Sequence, residues 1–136
     1  MVRSKFATHV HILSLMGKFP EEWLTSDFIA GSLNSNAALV RKELSELRNA
    51  GLVESKEGKN GGCRLARPLK DIRLSDIFAV VKDRHIFGFS PNDPNPHCPV
   101  GRNINKALDT MFTRLDESVT GELSKTTLAD FIAKLL

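Results

Sequence analysis

Cysteine is scarce in this chain. Cys63 and Cys98 are its two thiols, too few for a disulfide scaffold and too far apart to read as a metal-binding pair from spacing. Both are expected as reduced thiols at rest. Long apolar runs are missing too. No stretch approaches the length of a membrane span, and the N-terminus lacks the basic-then-apolar build and small-residue cleavage site of a secretion signal. A cytoplasmic protein with no membrane partner is expected. Nor is there a nucleophile paired with a base, a metal-ligand spacing or a phosphate-binding loop set between strand and helix. The chain is therefore expected to be no enzyme and to carry no cofactor.

What is present fits one domain. With 136 residues, 41% apolar and 26% charged, the chain can build a single core, with room for a projecting element but not for a separate substrate domain. The net charge of +3 is unevenly placed. Residues 1–70 hold 11 Lys and Arg against 7 Asp and Glu, whereas residues 71–136 hold 8 against 9. The basic excess in the first half points to a polyanion on that side.

Phe6, Val10 and Leu13, widened by Ile12 and Met16, recur at helical intervals and predict a first helix over residues 5–16, stopped by Gly17 and Pro20. Its two histidines, His9 and His11, lie about 200° apart, so this helix alone cannot bring them to one metal. They read as surface or partly buried side chains. Thr25, Ser26 and Asp27 supply the N-cap and acidic first turn of a short second helix with Phe28, Ile29 and Leu33 on its apolar face. After the turn Asn34-Ser35-Asn36, Val40, Leu44 and Leu47 form the stripe of a third helix that stops at Gly51. Helices joined by so short a turn cross steeply, as a helix-turn-helix.

Residues 52–55 and 63–66 then predict two strands around the Gly-rich, cationic tip at 56–62, which makes a wing. Leu74, Ile77, Phe78 and Val81 predict a further helix. Four of the six prolines fall between Gly88 and Gly101 and force an extended loop. Ile104, Leu108, Met111, Phe112, Leu115 and Val119 mark the longest helix. So long a stripe exceeds what a small core covers, so part of it, with Leu128, Phe131 and Ile132, is expected to meet a second copy. The expected fold class is mainly α: a winged helix-turn-helix with a two-stranded wing and a long C-terminal dimerisation helix. Residues 1–83 would be the DNA-binding domain, 84–101 the Pro-rich loop, and 102–136 the dimerisation helix and tail.

With Val40, Leu44 and Leu47 facing inward, Ala38, Arg41, Lys42 and Ser45 face outward, and Ser35 and Asn36 stand at the helix start. The N-terminal part of a recognition helix enters the major groove, where Asn addresses adenine, Arg guanine, and Ser bases or phosphate. Lys56, Lys59, Asn60, Gly61 and Gly62 add the wing's share: charge from the lysines, and glycines that let backbone amides approach a phosphate. Alone, Arg41 and Lys42 read as solvated surface charge. Beside the wing they form half of one face for double-stranded DNA.

The run VRKELSELRNAGLVESKEGKNGGCRLARPLKDIRLSDIFAVVKD at residues 40–83 closely resembles the Rrf2 family of bacterial winged-helix regulators, in the helix ending AGLV, the paired wing glycines, and RLARP before a helix. CPVG at 98–101 and KTTLADF at 125–131 extend the resemblance over nearly the whole chain. It implies a homodimer with crossed long helices that binds a palindromic operator, usually as a repressor. For many members it also implies an iron–sulfur cluster held by three cysteines in the loop before the long helix. Here that loop has only Cys98, beside His97, and such clusters depend on several thiolates, so a member without a cluster is expected.

Cys98 precedes Pro99 at the start of the long helix, where the dipole and free amides favour a thiolate. It is the candidate sensor of an oxidant or electrophile, against the alternative of an unreactive cysteine. Cys63 stands where the family often carries an aromatic residue and reads as a small packed side chain; pairing with Cys98 stays open. Two other readings stand beside the repressor: a winged helix turned protein-interaction module, told apart by its weak affinity for random duplex DNA at low salt, and an iron–sulfur-dependent regulator.

Overall fold

The first helix, α1 (Val2–Lys18), runs through Gly17 rather than stopping there. One helical glycine costs only about 1 kcal/mol, less than the packing of the wholly buried Leu13 and Met16 beside it returns. This is a computed structural model describing residues 2–82 and 85–135, so the expected boundary between residues 83 and 84 lies outside the described residues.

Helix α2 (Ser26–Leu33) opens as expected, with the Thr25 side chain accepting from the Phe28 N–H. It ends at Asn34, whose φ of 55° is the left-handed turn that short polar side chains tolerate. Asn36 caps α3 (Ala37–Asn49) by accepting from the Leu39 N–H, and Val40, Leu44 and Leu47 are buried as their spacing predicts. Strands β1 (Val53–Lys56) and β2 (Gly62–Leu65) pair antiparallel, with Ser55 opposite Cys63. A third segment joins them, because Leu24 and Cys63 exchange backbone hydrogen bonds at 2.9 and 2.8 Å. Cys63 is buried in the core, as a small packed residue should be.

A 3₁₀ turn (Leu69–Asp71) leads into α4 (Leu74–Val81), and after the Pro-rich loop the chain forms α5 (Pro99–Leu123) and α6 (Leu128–Ala133). The fold is mainly helical, and the two-stranded wing and long C-terminal helix are both there. No helix among the described residues is long and apolar enough to cross a membrane.

Two expectations fail here. Leu128 and Ile132 do not await a second copy; they lie in this chain's own core, with Phe131 packed against it. The cause is a backbone tie invisible to helical periodicity: Leu128 N–H bonds Ile72 O at 2.7 Å and Leu74 N–H bonds Thr126 O at 2.9 Å, which folds α6 back onto α1. His9 is not at the surface either. It is wholly buried, because it stands among Val10, Ile12 and Leu13 on the side of α1 that faces α3.

Candidate nucleic-acid interface

The start of α3 carries Ser35, Asn36, Ala38, Arg41 and Lys42, all exposed. Among the described residues neither Arg41 nor Lys42 joins an ion pair, although Glu43 and Glu46 sit on the same helix. Those carboxylates turn inward to Lys5 and His9, which leaves the outer face cationic. Asn36 is partly spent: its Oδ1 accepts the capping bond from Leu39 N–H at 2.9 Å. Its Nδ2 can still donate, but the two-bond grip on adenine needs both atoms. Leu39, missed by the sequence reading, is 47% exposed at the same helix end and offers a methyl surface of the kind that meets thymine. Its signal was an apolar residue one position off the buried stripe.

The wing is tied to the far end of α3, where the Arg48 guanidinium donates to Ser55 Oγ at 2.8 Å. Lys56, Lys59 and Asn60 are exposed at its tip. Trp23, also missed, supports the wing from the α1–α2 loop: the Arg64 guanidinium lies 4.1 Å and the Lys56 ammonium 5.8 Å from its ring centroid. Stacking on an aromatic face holds a cation in place at little cost in hydration.

The paired glycines serve the wing's own geometry. A Cβ on Gly61 would lie 2.1 Å from Lys56 O, and one on Gly62 would lie 2.5 Å from Leu24 O. Gly61 N–H is also engaged, to Gly58 O at 3.1 Å. That amide is therefore occupied within the turn, whereas Lys59 and Asn60 stay exposed at the tip.

Cys98 is exposed and caps α5, with Pro99 as the first helical residue. Its side chain closes no cap hydrogen bond, but the backbone N–H groups of Gly101 and then Val100 hold the thiol below its ordinary range. Gly101 is needed there, since a Cβ would lie 2.6 Å from the Asn95 carbonyl of the loop. The loop is fastened further by His85, whose two ring nitrogens meet Asp116 at 2.5 Å and Asp109 at 2.9 Å. Beyond Phe112 and Asp116, which face inward, α5 shows solvent an apolar stripe: Ile104 at 37% exposure, Met111 at 48%, Leu115 at 39% and Val119 at 37%.

Comparison with known proteins agrees with this architecture. The chain is 36% identical over 136 residues to YwnA of Bacillus subtilis, named as an HTH-type transcriptional regulator, covering 99% of each chain. A crystal structure of a transcriptional regulator from Lactobacillus plantarum superposes with a TM-score of 0.78 at 28% identity, covering 96% of this chain and 89% of that one. CymR, the global cysteine regulator of B. subtilis, superposes with a TM-score of 0.70 at 26% identity, covering 96% and 94%. The Rrf2 family model, described as an iron-dependent transcriptional regulator, matches residues 2–134.

The donor set does not fit a cysteine-held iron centre. Cys63 is buried under the wing, Cys98 is exposed at α5, and both are free thiols. His97, next to Cys98, donates its backbone N–H to Asn95 Oδ1 and adds no second thiolate. In fold, length and relatives alike, the chain belongs to the Rrf2 family of transcriptional regulators, which are not enzymes.

Proposed function

We propose that this regulator binds a palindromic operator as a homodimer and represses transcription in the cytoplasm, with α3 in the major groove and the wing on the flanking backbone. The observation that carries the reading is the outer end of α3, where Arg41 and Lys42 are exposed and outside every ion pair among the described residues, beside a wing tip bearing Lys56 and Lys59. A surface built to stay solvated would gain from pairing those cations with the two glutamates of the same helix. Here Glu43 is buried and Glu46 gives its close contact to Lys5, leaving Lys42 only a longer-range attraction. Two-fold symmetry then places the half-sites about one helical turn apart, or a multiple of it. α5 supplies the seam, through its exposed apolar stripe.

Selection of binding sites from a random duplex pool tests this, followed by titration of the selected operator. Arg41→Ala should cost about 1–3 kcal/mol of specific affinity and relax one base position. Lys59→Ala should weaken binding to every sequence and lower the salt slope by about one. If both variants bind the operator like the parent, the face is misplaced.

A redox input deepens this reading. Cys98, exposed and with its thiolate favoured by the first turn of α5, is proposed as the residue that an oxidant or electrophile modifies. Modification there would bear on the helix that sets the spacing of the two DNA-reading heads.

A further inference from the structure

Behind the outer face of α3, one imidazole and two carboxylates converge in the interior. His9 on α1 is wholly buried, with Nε2 2.5 Å from Glu43 Oε2 and 3.5 Å from Glu46 Oε2. Glu43 is buried as well, and the two glutamates stand three residues apart on α3, so both carboxylates reach the same side. The three ligand atoms all lie within 4.8 Å of one another.

The cluster's buried polar atoms are incompletely hydrogen-bonded from within the chain. Lys5 binds Glu46 Oε1 at 2.7 Å, but Oε2 of that carboxylate is buried without a hydrogen-bond partner. Glu43 has the His9 ring in direct contact, with the Lys5 ammonium attracting it at longer range. His9 Nδ1 also lacks a partner, so protonating the ring to answer Glu43 leaves a buried N–H unsatisfied.

We propose that His9, Glu43 and Glu46 form a binding site for a divalent first-row transition cation such as zinc. Imidazole nitrogen with carboxylate oxygen is a donor set that this class of ion takes, whereas calcium and magnesium favour oxygen alone. Tetrahedral bonds of about 2.1 Å separate donors by about 3.4 Å, so His9 and Glu43 part by about an ångström, whereas Glu46 Oε2 already lies 3.5 Å from the His9 nitrogen. The cation takes the place of the proton shared by His9 and Glu43, and that proton leaves to solvent. It answers both carboxylates and occupies the unpartnered Oε2. One-third exposure of the Glu46 and Lys5 side chains gives the ion a path inward. Loading would pin α1 to the helix bearing Arg41 and Lys42. Any effect on operator affinity rests on reading α3 as the DNA helix, but the cation site does not.

Calorimetric titration of the full-length, reduced, metal-free protein with zinc chloride, without DNA, is the test. One ion per chain is expected, weakened at least about tenfold by His9→Gln and by Glu46→Gln and unchanged by Cys98→Ser. Glu46 is part-exposed, so its variant keeps the test decisive should His9→Gln unfold. Absence of saturable binding, equal affinity in the glutamine variants, or loss of binding in Cys98→Ser overturns the site and leaves His9 and Glu43 as a buried hydrogen-bonded pair. Failure to bind DNA alone leaves it standing.

Discussion

Cys98 and Cys63 show how far one residue type diverges with its surroundings. Cys63 is closed into the core beneath the wing, where a thiol is inert packing. Cys98 is exposed, and the N–H groups of Gly101 and Val100 favour its thiolate. Because the thiolate is the nucleophile, iodoacetamide near neutral pH should label Cys98 faster than free cysteine and spare Cys63 until the protein unfolds. Mass spectrometry of timed samples reads both rates. A Cys98 no faster than free thiol removes it as a sensor. The contrast was legible in sequence, since Pro99 announced a helix start and the strand pattern put Cys63 in the wing. The surroundings of His9 were not. Its partner Glu43 lies 34 positions away on another helix, and periodicity within one helix says nothing of what an opposite helix brings.

At the scale of elements, the local signals for α2, α3 and the wing were complete: caps, a three-four stripe, and glycines at the tip. The C-terminal segment was misjudged because its destination is set by backbone bonds to residues 72 and 74, not by its own pattern. The Pro-rich loop held a second surprise, since composition marked it as extended but not as fastened. Asp116 accepts from the Ile86 N–H at 3.0 Å as well as from His85, and Lys82 Nζ lies 3.8 Å away. Phe87 and Phe89 pack on Phe112 beside them. Both His85 nitrogens can donate only in the protonated ring.

Hydrogen bonding to Asp116 and then Asp109 raises the His85 pKa above its ordinary value. Burial pushes Asp116 up, but the Ile86 N–H and then His85 outweigh it and hold the carboxyl low. A raised histidine stabilises the fastened loop below its ordinary pKa and loses that as pH climbs through the raised one. A lowered aspartate contributes above its ordinary pKa and loses that as pH falls through the depressed one. The loop should thus resist proteolysis best between these limits, and cleavage within residues 86–98 should be faster at about pH 9 than at about pH 6. His85→Gln should abolish that difference. Equal cleavage rates in the parent at both pH values would refute the latch.

The whole molecule turns on α5, a helix with two apolar faces. Phe112 packs inward with the His85 latch, whereas Ile104, Met111, Leu115 and Val119 remain at least one-third exposed at successive spacings of seven, four and four. A seam of that spacing suits a second helix of the same kind, and two-fold pairing of such helices would set a fixed distance between two copies of α3. Leu115→Glu should therefore place a charge in the seam without touching the core of the single chain, so helix content and thermal unfolding of the isolated subunit should persist. Sedimentation velocity should then show a monomer where the parent shows a dimer. Operator affinity should fall by about 10²–10⁴-fold, because two linked heads act at a high effective concentration that one head lacks. Affinity for an isolated half-site, where linkage has no part, should stay near that of the parent. A variant that remains dimeric would move the interface off this stripe. One that dissociates yet keeps full operator affinity would separate dimerisation from DNA recognition.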